Sequence, residues 1–109
     1  MAISHLAAGQ PIDILPLGRA LSQTRTSALF KTEQLEVMRL VLLTGKLIPP
    51  HKVAGEITIL CLEGRIEISV DGGTQILEAN QLMYLSGGVM HSLIALEDAS
   101  ALLTIVLRK

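Results

Sequence analysis

The stretch from Gly45 to Gly64, GKLIPPHKVAGEITILCLEG, decides the fold of this 109-residue chain. It places His51 after a glycine-marked turn and ahead of an apolar run that ends at a second glycine. A similar arrangement returns in LSGGVMH, residues 85–91, where His91 follows two glycines and opens another apolar run. Short apolar runs bounded by glycine turns are typical of β-proteins. Two histidines at strand mouths predict a small barrel with a polar interior site.

From Ser27 onward the sequence predicts β-structure throughout, because short apolar or alternating runs recur between turn residues. The predicted strands are Ser27–Lys31, Leu35–Leu43, Ile57–Leu62, Arg65–Val70, Thr74–Leu77, Gln81–Leu85, His91–Leu96 and Ala101–Leu107. Asp71-Gly72-Gly73 predicts a hairpin, since glycine supplies the positive φ of such turns, and Glu63-Gly64-Arg65 predicts another. Many short antiparallel strands, without a helix of three turns, favour an all-β sandwich or jelly-roll barrel.

The first 27 residues differ from the rest, since Pro11, Pro16 and Gly18 interrupt them. They predict an N-terminal arm over residues 1–27, followed by a single barrel domain over residues 28–109. The length of the chain is sufficient for one core and too short for a second.

Composition indicates self-association. Half of the residues are hydrophobic, and the aromatic residues are only Phe30 and Tyr84. The mean hydropathy of +0.51 is high for a small domain, and the run Leu102–Leu107 is apolar on both faces of its predicted strand. We therefore expect a homodimer formed through an apolar sheet face.

Charge and cysteine usage limit the other partners. The formal net charge is −1 and the charged residues are spread along the chain, so we expect neither nucleic acid nor a membrane as a partner. The single cysteine, Cys61, excludes an intrachain disulfide. The N-terminal residues lack a basic region typical of a signal peptide, and no apolar run has transmembrane length. These features predict a cytoplasmic protein.

Two segments, Gly45–Gly64 and Asn80–Ala95, resemble the two motifs of the cupin superfamily, whose double-stranded β-helix is a small jelly roll. The first family motif reads G-x5-H-x-H-x3-4-E-x6-G, and Gly45, His51 and Gly64 match it. The second reads G-x5-P-x-G-x2-H-x3-N, and Gly88 and His91 match it. Asn80, Ser86 and Ala95 replace its first glycine, its proline and its asparagine.

The first motif also lacks ligands that metal-binding cupins use. Val53 stands at its second histidine, and its carboxylate falls at Ile57 or Thr58, one residue after Glu56. Because side chains alternate along a strand, an inward His51 implies that Val53, Ile57, Ile59 and Cys61 also face inward. Glu56 then points away unless a bulge at Gly55 resets the register.

The resemblance implies a small-molecule site in the barrel, framed by His51 and His91. Its apolar wall is predicted to consist of Val53, Ile57, Ile59 and Tyr84. The metal ligands are reduced to His51 and His91, with Glu56 as a third candidate. Two possibilities stay open: the site holds a divalent ion of iron, manganese, nickel or zinc, or it holds no metal.

Three functions fit these residues. The first is a binding or sensing module, in which two imidazoles orient a carbonyl, hydroxyl or carboxylate of a small organic molecule. The second is a metal-dependent enzyme similar to cupin dioxygenases or isomerases. The third is a structural or regulatory subunit without a ligand, which predicts a barrel filled by Leu and Ile. An inward Glu56 would favour the metal enzyme. No serine elbow, P-loop or dinucleotide motif occurs.

Overall fold

The computed structural model describes residues 6–107 and consists of nine strands and one short 3-10 helix. The helix spans Gly18–Gln23. The strands are β1 (Ser27–Lys31), β2 (Leu35–Leu42), β3 (Leu47–His51), β4 (Ile57–Glu63), β5 (Arg65–Val70), β6 (Gly73–Glu78), β7 (Leu82–Leu85), β8 (His91–Ala95) and β9 (Ala99–Val106). Eight of these strands agree with the sequence prediction to within a few residues.

The strands form two antiparallel sheets that face each other. The five-stranded sheet has the order β1-β2-β9-β4-β7 and the four-stranded sheet has the order β3-β8-β5-β6. Strands adjacent in the sheets are often distant in sequence, as in the pairing of β2 with β9. This confirms the predicted all-β jelly-roll barrel.

The sequence prediction missed β3. Two adjacent prolines, Pro49 and Pro50, lack the amide hydrogens that a central strand needs. However, β3 lies at the edge of the four-stranded sheet, where proline is tolerated. Its register with β8 shifts between Ile48 and His51.

The predicted hairpin at Glu63-Gly64-Arg65 is wrong. Strands β4 and β5 belong to different sheets, so this turn is a corner between the sheets. Gly64 has a φ of +79° there, and a Cβ atom on it would overlap the carbonyl oxygen of Asp98. The corner therefore requires glycine for two independent reasons. The hairpin predicted at Asp71-Gly72 does connect β5 to β6.

The core lies between the two sheets and fills the centre of the barrel. Along β4, Ile57, Ile59 and Cys61 face inward and are at most 4% exposed. Ile66 and Ile68 of β5 face them from the other sheet and are fully buried. This alternation follows from the pleat of the strands.

The segment before β1 is attached to the barrel by backbone hydrogen bonds. The amide of Leu6 donates to the carbonyl of Leu29 on β1. The Glu63 carboxylate accepts hydrogen bonds from the amides of Leu17, at 2.8 Å, and Gly18, at 3.0 Å, and from the Ser100 hydroxyl. The division into an arm and a barrel at residue 27 stays a prediction. Within residues 6–107, no helix is long and apolar enough to cross a membrane.

Candidate functional site

His51 and His91 lie side by side where two strands of the four-stranded sheet meet the mouth of the barrel. His51 ends β3, His91 begins β8, and the two residues are direct partners in the register. Direct partners project from the same face of a sheet. Their ring centroids are 4.3 Å apart and the ring planes are inclined by 54°. The structure therefore brings the two predicted site histidines together.

Both imidazoles are oriented by their own backbone. The Nδ1 atom of His51 lies 3.0 Å from the carbonyl oxygen of Pro49, and that of His91 lies 3.0 Å from the carbonyl oxygen of Val89. A carbonyl oxygen can only accept, so Nδ1 carries the hydrogen in each ring. In the neutral form, each Nε2 therefore holds a lone pair. A hydrogen bond from Nδ1 to a backbone carbonyl is the usual way of fixing a ligand histidine.

The two rings differ in burial. His91 is 4% exposed and belongs to the inner face of β8, whereas His51 is exposed to solvent. An open groove of about 260 Å³ lies beside His91 at the strand ends. We call it the mouth groove; its lining residues are Pro50, Ser69, Val70, Asp71, Gly72, Met90, His91 and Ser92. Of the two histidines, His91 lines this groove and His51 does not.

Val53, Ile57 and Ile59 face the interior, as the alternation from His51 predicts. Ile57 and Ile59 are 4% and 0% exposed, and Val53 packs against the same core. None of the three lines the mouth groove. They therefore pack in the centre of the barrel and do not border the mouth groove.

Tyr84 and Glu56 require a correction, since the structure places both on the outside of the five-stranded sheet. Tyr84 pairs with Thr58, whose strand neighbours Ile57 and Ile59 face inward, so Tyr84 faces outward and is 57% exposed. Its hydroxyl donates a 2.7 Å hydrogen bond to Oε1 of Glu56. Gly55 does not turn Glu56 inward. Tyr84 is thus not part of the interior wall, and Glu56 does not join the histidines as a ligand.

The histidine pair fits a metal ion only in part. A ring bound through Nε2 has its centre about 3.2 Å from the ion, so two rings that subtend a right angle at the ion have centres about 4.5 Å apart. The observed 4.3 Å is close to that value. Within residues 6–107, however, no group of three or more His, Cys, Asp or Glu side chains is placed to hold a metal. The family's other ligand positions carry Val53 and Ile57 or Thr58, so within residues 6–107 the pair offers an ion two nitrogens.

The polar residues of the mouth groove were not found from the sequence. Ser69 and Ser92 are direct partners on β5 and β8, and Asp71 lies in the turn that follows β5. Asp71 and Gly72 have φ values of 48° and 78°, which place them in a tight two-residue turn. The turn itself was predicted, but its position beside His91 depends on the pairing of β5 with β8, which no local pattern reveals.

Comparisons with known proteins agree with this architecture. The family model described as "Cupin domain" matches residues 38–107. The chain therefore belongs to the cupin family, as its two motif segments indicated. A comparison with curated protein sequences finds no match.

Among solved structures, a conserved protein of unknown function from Streptococcus pyogenes superposes with a TM-score of 0.77 and 23% identity, covering 100% of this chain and 99% of that one. A cupin superfamily protein from Desulfitobacterium hafniense gives 0.79 and 13%, covering 99% and 100%. The DMSP lyase DddQ from Ruegeria pomeroyi gives 0.69 and 17%, covering 75% and 46%. At these identities the likeness shows a shared fold.

Proposed function

We propose that this protein binds a small organic molecule at the mouth of its barrel, through the Nε2 atoms of His51 and His91. The observation that carries the proposal is the geometry of the pair. The centres of the two rings are 4.3 Å apart, and each Nδ1 is held by a backbone carbonyl, which leaves the Nε2 atom of each ring as the one that can meet a ligand. Pre-oriented polar groups of this kind fix the orientation of a ligand in an otherwise apolar site.

The protonation state of the two rings determines which ligand group can bind. When both rings are neutral, the two Nε2 lone pairs accept, and a hydroxyl group is the matching donor. When a ring is protonated, its Nε2 donates, and a carboxylate is the matching acceptor. Beside His91, the mouth groove adds the apolar surface of Met90. The expected ligand is thus small, partly apolar, and carries a hydroxyl or carboxylate.

Nuclear magnetic resonance of the imidazole nitrogens tests the proposal with simple probes. Glycerol serves as the hydroxyl probe and acetate as the carboxylate probe. We expect at least one of them to shift the Nε2 resonances of both His51 and His91 in a saturable way. His51→Ala and His91→Ala should each abolish saturation, while His5→Ala serves as the matched control and should leave it unchanged. Linear, unsaturable shifts with both probes would contradict the proposal.

A metal-dependent activity is the second candidate, favoured by the spacing of the rings and their fixed lone pairs. His51 and His91 would hold a divalent ion, and water or substrate would complete its coordination. A bound ion supplies Lewis-acid chemistry at the open positions. With two protein ligands, its affinity should be lower than that of a three- or four-ligand site.

Metal content separates the two candidates. Plasma mass spectrometry of untagged protein, before and after His91→Ala, should show near-stoichiometric metal lost in the variant if the second candidate holds. Metal-free protein that also fails to bind Zn²⁺ or Co²⁺ in titration would contradict it. The first candidate would then stand on the probe experiment alone.

The third function, a subunit without a ligand, predicts a filled barrel. The centre is indeed filled, since Ile59, Ile66 and Ile68 are fully buried. This packing restricts a ligand to the mouth but does not close the mouth groove, which lies at the strand ends beside His91. Failure of every probe would leave this third function as the best account.

A further inference from the structure

The turn between β5 and β6 brings a carboxylate to the mouth groove. Asp71 is the first residue of that turn, and it follows Val70, the direct register partner of His91. Opposed residues of an antiparallel pair have Cα atoms about 5 Å apart, and consecutive Cα atoms are about 3.8 Å apart. The Cα atoms of Asp71 and His91 are therefore within about 9 Å of each other, and both residues line the groove.

Asp71 carries the only permanent charge in the lining of the mouth groove. Apart from His91, the other lining residues are apolar residues, serines and a glycine. Lys52, which follows His51, does not line the groove, and neither does Glu67, which lies on the outer face of β5 between the inward Ile66 and Ile68. A concave site with a single sign of charge attracts ions of the opposite sign and repels ions of its own sign.

The Asp71 carboxylate is available to a ligand. Within residues 6–107 it accepts no hydrogen bond and forms no ion pair, whereas Asp98, in another turn, accepts two hydrogen bonds from Thr44. It is not bonded to His91, whose Nδ1 is held by the carbonyl of Val89. An anionic group without a partner at the edge of a groove can pair with a bound cation.

The turn needs the residue type at position 71 but not its charge. Asp71 and Gly72 both have positive φ values, 48° and 78°. Two-residue hairpin turns of this kind favour Asn-Gly as well as Asp-Gly. An asparagine at position 71 would therefore preserve the backbone of the turn and remove only the negative charge.

We infer that Asp71 selects a ligand that carries an ammonium group, so that the mouth binds a short amino alcohol and disfavours carboxylates. The inference rests on the proposed function, in which the Nε2 lone pair of a neutral His91 accepts a hydrogen bond from the ligand hydroxyl. The ammonium group then lies on the Asp71 side of the groove. A carboxylate in the same place would meet a like charge, and such repulsion against the wrong ligand is a common source of specificity.

The size and the remaining lining of the groove agree with such a ligand. Its volume of about 260 Å³ is below the range of roughly 300 to 1,000 Å³ that is typical of drug-sized ligands. Met90 and Pro50 provide apolar surface for a short carbon chain between the two polar ends. The expected ligand is therefore a molecule of a few carbons with a hydroxyl at one end and an ammonium at the other.

Three probes with the same two-carbon backbone test the inference at neutral pH: ethanolamine is a cation, ethylene glycol is neutral and glycolate is an anion. Saturation of the His91 Nε2 resonance gives each dissociation constant. Ethanolamine should bind the wild type about three- to fivefold more tightly than ethylene glycol, as expected for one partly exposed charge pair, and glycolate should bind most weakly. Asp71→Asn should make ethanolamine and ethylene glycol bind equally. Glu67→Gln, which removes a carboxylate of the same strand outside the groove, should leave the preference unchanged.

Salt provides a second measurement that needs no variant. Raising its concentration from about 20 mM to about 500 mM should remove most of the preference of the wild type for ethanolamine, because exposed charges are screened. Saturable binding of ethylene glycol without a preference for ethanolamine, or a preference that persists in folded Asp71→Asn, would overturn the inference and leave the proposed function intact. Failure of all three probes to saturate the His91 resonance would contradict the proposed function itself, and the inference would fall with it.

Discussion

Replacing Glu63 should loosen the segment before β1 and lower the free energy of unfolding. The Glu63 carboxylate at the end of β4 accepts hydrogen bonds from two backbone amides, Leu17 and Gly18, and from the Ser100 hydroxyl. The two amide bonds connect the start of the 3-10 helix to the barrel, and the Ser100 bond holds the carboxylate in place. Glu63→Ala removes both acceptor oxygens and with them all three hydrogen bonds, while leaving the strand backbone unchanged.

The magnitude follows from the exposure of the donors. A hydrogen bond to a charged group contributes about 1.5 to 3 kcal/mol, and least where water can replace the lost partner. Water reaches the Gly18 amide, whereas the Leu17 amide is part-buried and Ser100 is fully buried. We therefore expect Glu63→Ala to cost about 2 to 3 kcal/mol in total and Glu63→Gln, which keeps one acceptor oxygen, to cost about 1 kcal/mol.

The effect should depend on pH in a defined direction. Partial burial raises the pKa of Glu63, but the hydrogen bonds from Leu17, Ser100 and Gly18 and the charge of Arg39 outweigh it and hold the pKa below its ordinary value of 4.5. The stabilisation is thus fully present above pH 4.5 and is lost as the pH falls through the lower folded value. The difference in the free energy of unfolding between wild type and Glu63→Gln should shrink over that acidic interval.

Urea unfolding at several pH values measures the free energies, and amide hydrogen exchange at Leu17 and Gly18 reports the local loosening. Glu33→Ala, at an exposed turn residue, is the control and should change stability by less than about 0.5 kcal/mol. A Glu63→Ala variant as stable as this control would refute the reasoning. So would an unchanged exchange rate at Leu17, because that amide would then not depend on the carboxylate.

Three further substitutions or treatments test the fold. Gly64→Ala should destabilise the protein by more than about 3 kcal/mol in thermal and urea unfolding, because the added Cβ meets Asp98 at a positive φ; near-native stability would show that the corner can relax. Ile59→Ala should cost about 2 to 5 kcal/mol, since it leaves a cavity between the sheets. Burial raises the pKa of the Cys61 thiol, so a thiol reagent at neutral pH should modify it only after unfolding, and rapid native labelling would contradict this.

The strands were predictable because their signals are local. Apolar alternation identified β4 and β5, and Asp71-Gly72 marked the hairpin that connects β5 to β6. Strand β3 was missed because its prolines forbid a central strand, while its edge position depends on pairing with β8 some forty residues away. The corner at Gly64 was misread for the same reason. A glycine turn shows that the chain bends there, but not which sheet the next strand joins.

The histidine pair was predictable from motif spacing, and the positions of Val53 and Ile57 from strand parity. Tyr84 was not, because its facing direction depends on the register of β7 against β4, which pairs it with the outward Thr58. The alternation of side chains along the strand by itself already predicted that Glu56 faces outward. The change of register that a bulge at Gly55 would cause does not occur. The Glu56 carboxylate instead accepts a hydrogen bond from Tyr84 of β7.

The departures from the family motif and the packing of the barrel have a common consequence. Where the family places a second histidine, this chain carries Val53, and where it places a carboxylate, this chain carries Ile57 or Thr58. The side chains of Val53 and Ile57 join the core instead of an interior site. The proposed function therefore relies on the two imidazoles and on the residues of the mouth groove. Since one fold supports many activities, the decisive property is the pair itself: two oriented Nε2 atoms, one buried ring and one open ring. Two such nitrogens suffice to orient a small molecule without a further protein ligand, and for this reason we propose recognition ahead of catalysis.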